Sequence, residues 1–258
     1  RRITINKIKK SKNKKPLVCL SVYSKVLTDI ADKYCDILLV GDSLGMVLHG
    51  MNSTREVSFD DMIRHGKTVR KFAKRSLVVV DMPYKSYTNK MQAYQNAKKI
   101  MKLTNCDAVK LEGGKNVSKI IQFLVRNKVP VMGHVGLLPQ SSSSFKLQGK
   151  KRVEEIKILN DAIAISKSGA FSIVIECVIE KLAKKITNTI NIPTIGIGAS
   201  KYCDGQILVA DDIIGLTDFT PKFVKRYSNL KSTIQKSIKK YSNDVKNRKF
   251  PSIKNTYK

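Results

Sequence analysis

Short apolar runs alternate with segments of helical spacing along most of the chain. Eight runs, at 17–23, 37–42, 77–81, 108–112, 129–134, 172–176, 194–198 and 207–209, are rich in Val, Ile or Leu and mostly lack polar alternation. Such runs predict strands buried on both faces, as in a parallel sheet. The last run carries the weakest signal. Between the runs, 59–74, 91–104, 116–127, 154–168 and 179–189 set apolar residues three and four apart, which predicts helices with one buried face. Repeated strand–helix units imply parallel strands joined by helical crossovers. Eight units in 258 residues predict an α/β fold, a single-domain (β/α)8 TIM barrel over 1–258, rather than an open doubly wound sheet. Gly196-Ile197-Gly198 is only a partial dinucleotide fingerprint and lies far from an opening βαβ unit. It reads better as close backbone approach to a ligand at the barrel mouth. From about Tyr241 the chain turns rich in Lys and Asn, and a basic, loosely held C-terminal tail is expected, part of it helical.

Composition adds exclusions. Hydrophobic residues make up 42% of the chain and charged residues 27%, an ordinary balance for a globular domain. No apolar run approaches the roughly 20 residues of a membrane-spanning helix. The basic N-terminal stretch is followed by neither an apolar segment nor a cleavage site, so no secretory signal is expected. The five cysteines, Cys19, Cys35, Cys106, Cys177 and Cys203, are scattered and form no C-x-x-C pair. They point to reduced cytoplasmic thiols rather than zinc or disulfides. A net charge of +29 raises the question of a nucleic-acid partner. The excess is 39 Lys to 10 Arg, spread along the chain, with no zinc finger, RNA-binding aromatic motif or helix-turn-helix, so no specific nucleic acid is expected. Surface drift towards lysine in an AT-rich genome accounts for the charge, which also helps collect anionic substrates.

The candidate chemistry lies where the runs end. Asp42 and Ser43 close the second run, Asp81 the third, Glu112 the fourth, His134 the fifth and Glu176 the sixth. In a parallel barrel these ends open on one face, where barrel enzymes keep their chemistry. A carboxylate directly after an aliphatic run is costly to bury unless it is paired or metal-bound. Hard oxygen ligands from separate strands suit Mg²⁺, which leaves positions for substrate oxygens and, as a Lewis acid, favours enolisation of a 2-oxo acid. Lys110 shares a strand face with Glu112 and is either a protonated, ion-paired lysine or a Schiff-base lysine, the acids favouring the first. Ser43 is either a donor to a substrate carboxylate or a helix N-cap. His134 is a metal ligand, a substrate contact or a hydrogen-bonded wall residue. Cys177, beside Glu176, reads as a buried bystander.

These motifs together resemble the ketopantoate hydroxymethyltransferase family. The resemblance runs from about residue 5 to residue 227. It rests on Leu39-Val40-Gly41-Asp42-Ser43-Leu44-Gly45-Met46, Asp81-Met82-Pro83-Tyr84 and Val109-Lys110-Leu111-Glu112-Gly113-Gly114. It continues through Gly133-His134-Val135-Gly136-Leu137-Leu138-Pro139-Gln140-Ser141, Ile175-Glu176-Cys177-Val178 and Cys203-Asp204-Gly205-Gln206-Ile207-Leu208-Val209. What it implies is a barrel that converts 3-methyl-2-oxobutanoate and 5,10-methylenetetrahydrofolate to 2-dehydropantoate and tetrahydrofolate, opening pantothenate biosynthesis as a homodecamer. Position by position, the resemblance makes Asp42 and Asp81 ligands of one Mg²⁺ per subunit, with Glu112 completing its coordination. It lets Asp42, Ser43, Asp81 and Lys110 hold the oxo acid, and makes Glu176 the proton acceptor.

The chain departs from the family pattern at three places. Ser24 follows Tyr23 where the family commonly has Asp, and Arg55-Glu56 follows Ser53-Thr54 in place of Leu-Pro. The segment 141–149 is also short for a loop at this face, where lids form. Two other functions compete with this reading. A carbon–carbon lyase of the phosphoenolpyruvate mutase and isocitrate lyase group would carry a Lys-Cys-Gly-His-like loop, and none is found. A polyanion-binding protein on a decayed barrel would not keep costly strand-end acids.

Overall fold

All eight apolar runs form strands: β1 Leu17–Ser21, β2 Ile37–Val40, β3 Leu77–Asp81, β4 Ala108–Lys110, β5 Val131–Gly136, β6 Ser172–Glu176, β7 Thr194–Ile197 and β8 Gly205–Val209. The computed structural model describes residues 2–142, 146–218 and 221–257. Each strand pairs in parallel with its sequence neighbours, and β8 pairs with β1 from Leu17↔Gly205 to Ser21↔Val209, which closes the barrel. The expected (β/α)8 architecture is therefore present. The weakest run turns out to be the closing strand, and it begins earlier than its aliphatic residues suggest. Gly205 starts it because a Cβ there would lie 2.8 Å from both the carbonyl oxygen and Cβ of Leu17. β5 is shifted towards the C-terminus relative to the apolar run, starting after Pro130, which has no N–H to donate. Its pairing with β6 continues through Val135↔Ile175 and Gly136↔Glu176.

The aliphatic runs lack alternation because both faces of the sheet are covered. Leu17, Cys19, Ile37, Leu39, Leu77, Val79, Ala108, Met132, Val174 and Ile207 form one buried cluster with Ile3, Ile8 and Phe171. This cluster contains no residue of the crossover helices, so it is the barrel interior, with Ile3 and Ile8 plugging its lower end. The alternate residues Leu38, Val40, Val78, Val80, Val109, Val131, Ile173 and Ile175 pack instead with Met62, Val69, Ile100, Ile121, Leu124, Ile165 and Ile186 of the surrounding helices. Those helices span Phe59–Phe72, Lys90–Thr104, Lys115–Arg126, Arg152–Lys167 and Glu180–Thr189, close to the predicted bounds. Local chemistry starts them: Ser58 and Asp61 form a reciprocal capping box, and the Asn89 side chain accepts the Gln92 N–H at 2.9 Å. One short crossover, Lys25–Ala31, carries too few apolar positions to stand out in the sequence. Ser24 is its N-cap, accepting from the Leu27 N–H, so a serine serves where an aspartate would cap equally well.

The chain divides into two compact units, Arg1–Ala210, which holds the whole barrel, and Asp211–Lys258. In the second unit the helix Leu230–Lys246 continues beyond Tyr241, and the Tyr241 ring meets Phe250 edge-on at 5.5 Å. Among the described residues no helix is long and apolar enough to cross a membrane.

Aspartates hold the lower end of the barrel. Asp36 and Asp107 directly precede β2 and β4 and accept the Val18 and Val78 N–H groups at 3.1 and 2.8 Å. Asp204 precedes β8 and accepts from Lys12 at 2.9 Å, from the Asn13 N–H at 2.8 Å and from the Thr194 N–H at 2.9 Å. Asp32, at the end of the first crossover helix, accepts three consecutive N–H groups: Lys74 at 2.9 Å, Arg75 at 2.9 Å and Ser76 at 2.7 Å. Burial pushes its carboxyl pKa up, but these donors outweigh that and hold it below the ordinary aspartate range. Asp32→Ala should therefore cost about 1–3 kcal/mol in urea unfolding at neutral pH, since it strands the buried Ser76 N–H and removes the acceptor of two part-buried donors. Because the folded-state pKa is depressed, this stabilisation is present above the usual carboxylate range and lost as pH falls through the lowered value. The gap between the parent and Asp32→Ala should close on acidification; a gap that persists at low pH contradicts the assignment.

Candidate active site

The inward row of side chains is apolar at the bottom of the barrel and polar at the top. Leu77 and Val79 are followed on the same face of β3 by Asp81, and Ala108 on β4 by Lys110 and Glu112. Met132 on β5 is followed by His134, and Val174 on β6 by Glu176. The period of two that fills the core thus delivers these groups to one rim. Asp42 lies just past the end of β2, preceded by Gly41. A Cβ on Gly41 would lie 3.0 Å from Ser43 Oγ and 3.6 Å from Asp81 Oδ2, so the glycine leaves the site its room.

The rim groups are joined in a chain of contacts. Lys110 Nζ lies 3.0 Å from Asp81 Oδ1, with both side chains buried. Asp81 Oδ2 accepts the backbone N–H of Asp42 at 3.1 Å. Asp42 Oδ2 accepts from the Gln140 side-chain amide at 2.7 Å, and Glu112 Oε2 accepts the Gln140 backbone N–H at 3.0 Å. His134 stands between two acids, its Nδ1 3.4 Å from Glu112 Oε1 and its Nε2 3.1 Å from Glu176 Oε2, neither contact having the alignment of a full hydrogen bond. Tyr23 OH lies 2.7 Å from Ser43 Oγ. Ser43 sits at the N-cap position of the helix Leu44–Leu48 but makes no side-chain cap bond, so its hydroxyl is turned towards Tyr23.

Identical acids differ here because their surroundings differ. Burial, then Asp81 and Glu112, raises the Asp42 carboxyl to about 8, against the opposing pull of Lys110 and Gln140. Burial also raises Asp81, although Lys110 opposes it. For Glu112, burial is outweighed by His134, Lys110 and the Gln140 N–H, and its pKa falls. Burial and Lys110 push the His134 ring down, but Glu112 and Glu176 prevail and raise it to about 9. Lys110 is held protonated, since Asp81, Glu112 and Asp42 more than offset its burial. That is the state expected of an ion-paired lysine. Cys177 follows Glu176 with a left-handed backbone, φ +48; it is half-buried rather than buried as expected, and burial and then Glu176 push its thiol up to about 11.

Asp42, Ser43, Asp81, Lys110, Glu112 and Glu176 therefore all meet at one rim, linked through His134 and Gln140. Asp42 and Asp81 are buried close together, each with its carboxyl pushed up by burial, and a divalent cation beside them would favour both as carboxylates. Among the described residues, however, no three His, Cys, Asp or Glu side chains are close enough to hold a metal ion by themselves. Asp42 and Asp81 remain suitable donors for an ion that keeps waters and substrate oxygens as its other ligands. Glu112 has both oxygens engaged, by His134 and by Gln140. Residue-by-residue reading assigned no role to Gln140, Tyr87 or Tyr23. Gln140 lies in a recognised sequence block, but only the folded chain shows its side-chain contacts with the rim. Of the short segment 141–149, residues 143–145 lie outside the described residues.

The model of the ketopantoate hydroxymethyltransferase family matches residues 2–253. The chain is 53% identical to a 3-methyl-2-oxobutanoate hydroxymethyltransferase of Pelagibacter ubique (strain HTCC1062), covering 98% of each chain. It is 50% identical to the protein of that name from Bartonella henselae, covering all of this chain and 95% of the other. Among solved structures, 2,3-dimethylmalate lyase of the PEP mutase/isocitrate lyase superfamily shares the fold with a TM-score of 0.64 at 10% identity, over 98% of this chain and 88% of that one. A phosphonopyruvate hydrolase complex with oxalate and Mg²⁺ has a TM-score of 0.63 at 8% identity, over 98% and 93% of the two chains.

Removing one partner of a buried ion pair leaves the other charge stranded. Lys110→Met should destabilise the metal-free protein by about 3–5 kcal/mol in urea unfolding at pH 8. A loss below about 1 kcal/mol, the size expected of an exposed pair, would show that the pair is not desolvated.

Proposed function

The chain belongs to the ketopantoate hydroxymethyltransferase family, and on that premise we propose how its rim transfers a hydroxymethyl group to 3-methyl-2-oxobutanoate. It is a one-carbon transferase of pantothenate biosynthesis. In our reading the donor is 5,10-methylenetetrahydrofolate, the product 2-dehydropantoate and the cofactor Mg²⁺. The observation that carries this reading is the chain of contacts from buried Lys110 through Asp81, Asp42, Gln140, Glu112 and His134 to the partly exposed Glu176, on a fold whose sequence matches the family along its length.

Asp42 and Asp81 would hold the cation, with Glu112 behind them because its oxygens are already engaged. A bound divalent cation supplies Lewis acidity beside the keto oxygen of the oxo acid. Ser43, oriented by Tyr23, donates to the substrate carboxylate. The Lys110 ammonium, kept protonated by its acids, offsets charge developing on the keto oxygen. Glu176 takes the proton from C3, and the electron pair of that C–H bond becomes the double bond of the enolate. His134 holds the Glu176 carboxylate in place. The enolate carbon then forms its new bond to the one-carbon unit, whose two C–N bonds to folate give way to that C–C bond and to a C–O bond from a water molecule; the proton taken by Glu176 and one from the water go to the two nitrogens, releasing tetrahydrofolate. A homodecamer is the assembly we expect.

The reading is tested by following the C3 proton of 3-methyl-2-oxobutanoate by NMR in deuterated water with protein and Mg²⁺. Exchange is expected, and 2-dehydropantoate should form when methylenetetrahydrofolate is added. Glu176→Gln should abolish exchange with little change in Mg²⁺ affinity, whereas Asp42→Asn and Asp81→Asn should each weaken it by about tenfold or more. Borohydride added with the oxo acid should leave the protein mass unchanged, since Lys110 forms no Schiff base. Absence of exchange with metal and substrate both bound would sink the enolisation step.

A further inference from the structure

Gln140 makes more polar contacts with the rim than any assigned residue requires. It is 2% exposed and comes from the segment following β5. Its side-chain nitrogen donates to Asp42 Oδ2 at 2.7 Å and to the Met82 carbonyl at 3.0 Å. Its side-chain oxygen accepts from Tyr87 OH. Its backbone N–H donates to Glu112 Oε2, and its carbonyl accepts from Arg55 Nε at 2.8 Å. Both amide protons are thus in use. One residue from beyond β5 ties together groups that follow β2, β3 and β4.

The orientation of the amide follows from chemistry. A carboxylate and a backbone carbonyl only accept, so both must face the NH2 group. The tyrosine hydroxyl receives the Glu112 N–H at 3.4 Å and therefore directs its own proton towards the Gln140 oxygen. Tyr87 thereby prevents the amide from flipping. Arg55 braces the Gln140 main chain and stacks over Tyr84, 5.5 Å from the ring centre.

We propose that Gln140, locked by Tyr87, is the positioning residue that sets Asp42 for the cation and holds Glu112 behind it. It engages one oxygen of Asp42 and leaves the other for an ion. As a neutral donor it opposes the repulsion between the buried carboxylates without cancelling the negative charge that attracts a divalent cation. It also secures Glu112 through its main chain, which no side-chain substitution would remove. Partners behind metal ligands fix the orientation and basicity of those ligands, and their loss weakens metal binding. The proposal rests on the reading of Asp42 as a cation ligand.

The test is Mg²⁺ binding to metal-free protein by calorimetry, with Mn²⁺ electron paramagnetic resonance as an independent probe. Gln140→Met keeps the length and removes the donor; it should weaken Mg²⁺ binding about 10–100-fold. Tyr87→Phe removes only the hydroxyl and should weaken it less, by about 3–10-fold. The rise in melting temperature on adding Mg²⁺ should shrink in both variants, whereas a merely structural role would lower the melting temperature and leave that rise intact. Parent-like Mg²⁺ affinity in Tyr87→Phe, or in a folded Gln140→Met, overturns the proposal. If the parent itself binds no Mg²⁺, the reading of Asp42 fails instead, so the two failures are distinguishable.

Discussion

The Lys110–Asp81 ion pair is buried at the barrel rim, and the charge state of the neighbouring acids depends on it. In such surroundings a charge interacts strongly with its neighbours and is costly to leave alone. Asp81 has the ammonium, Asp42 has the neutral amide of Gln140, and Glu112 has the His134 ring and a backbone N–H. The same functional group accordingly behaves in two ways, Asp42 and Asp81 holding their protons more tightly and Glu112 less.

The barrel carries acids at both ends of its strands, and their partners separate structural from chemical roles. Asp36, Asp107 and Asp204 precede strands and spend their oxygens on backbone N–H groups, lysine or arginine, stitching the lower rim. Asp42, Asp81, Glu112 and Glu176 follow or end strands and face other titratable side chains. Donors that belong to the backbone leave a carboxylate with little left to do. An acid whose neighbours are other acids, a lysine and a histidine has charge available for a ligand. The position of an aspartate relative to its strand thus already separates the two groups.

The fold does not choose the reaction. Barrels of the PEP mutase/isocitrate lyase superfamily superpose on this chain at about one-tenth sequence identity, which speaks to architecture alone. The family follows from sequence similarity along the whole chain. Architecture contributes a row of inward positions that end at a common rim, and the residues placed there set the chemistry. Closing the cylinder brings β8 back to β1, so residues nearly two hundred positions apart become neighbours.

Local signals were enough to find the strands and the acids that end them. An aliphatic run buried on both faces reads the same wherever it sits, and an acid at its end is conspicuous beside it. Boundaries were less legible: β5 runs on through His134, Val135 and Gly136 because its hydrogen bonds to β6 continue where the aliphatic run stops. Short Lys25–Ala31 was hidden for a related reason, its apolar positions being too few, and the helix expected within the tail begins earlier than its composition suggests, at Leu230. The sequence by itself determined the barrel, the rim acids and, through its motifs, the family. Only the tertiary structure decided that Gln140 engages Asp42 ninety-eight residues away, that Ser43 turns to Tyr23 instead of capping its helix, and that both oxygens of Glu112 are engaged. Hydrophobic period is a property of neighbouring residues, whereas the direction of a hydrogen bond depends on which distant partner the closed barrel brings within reach.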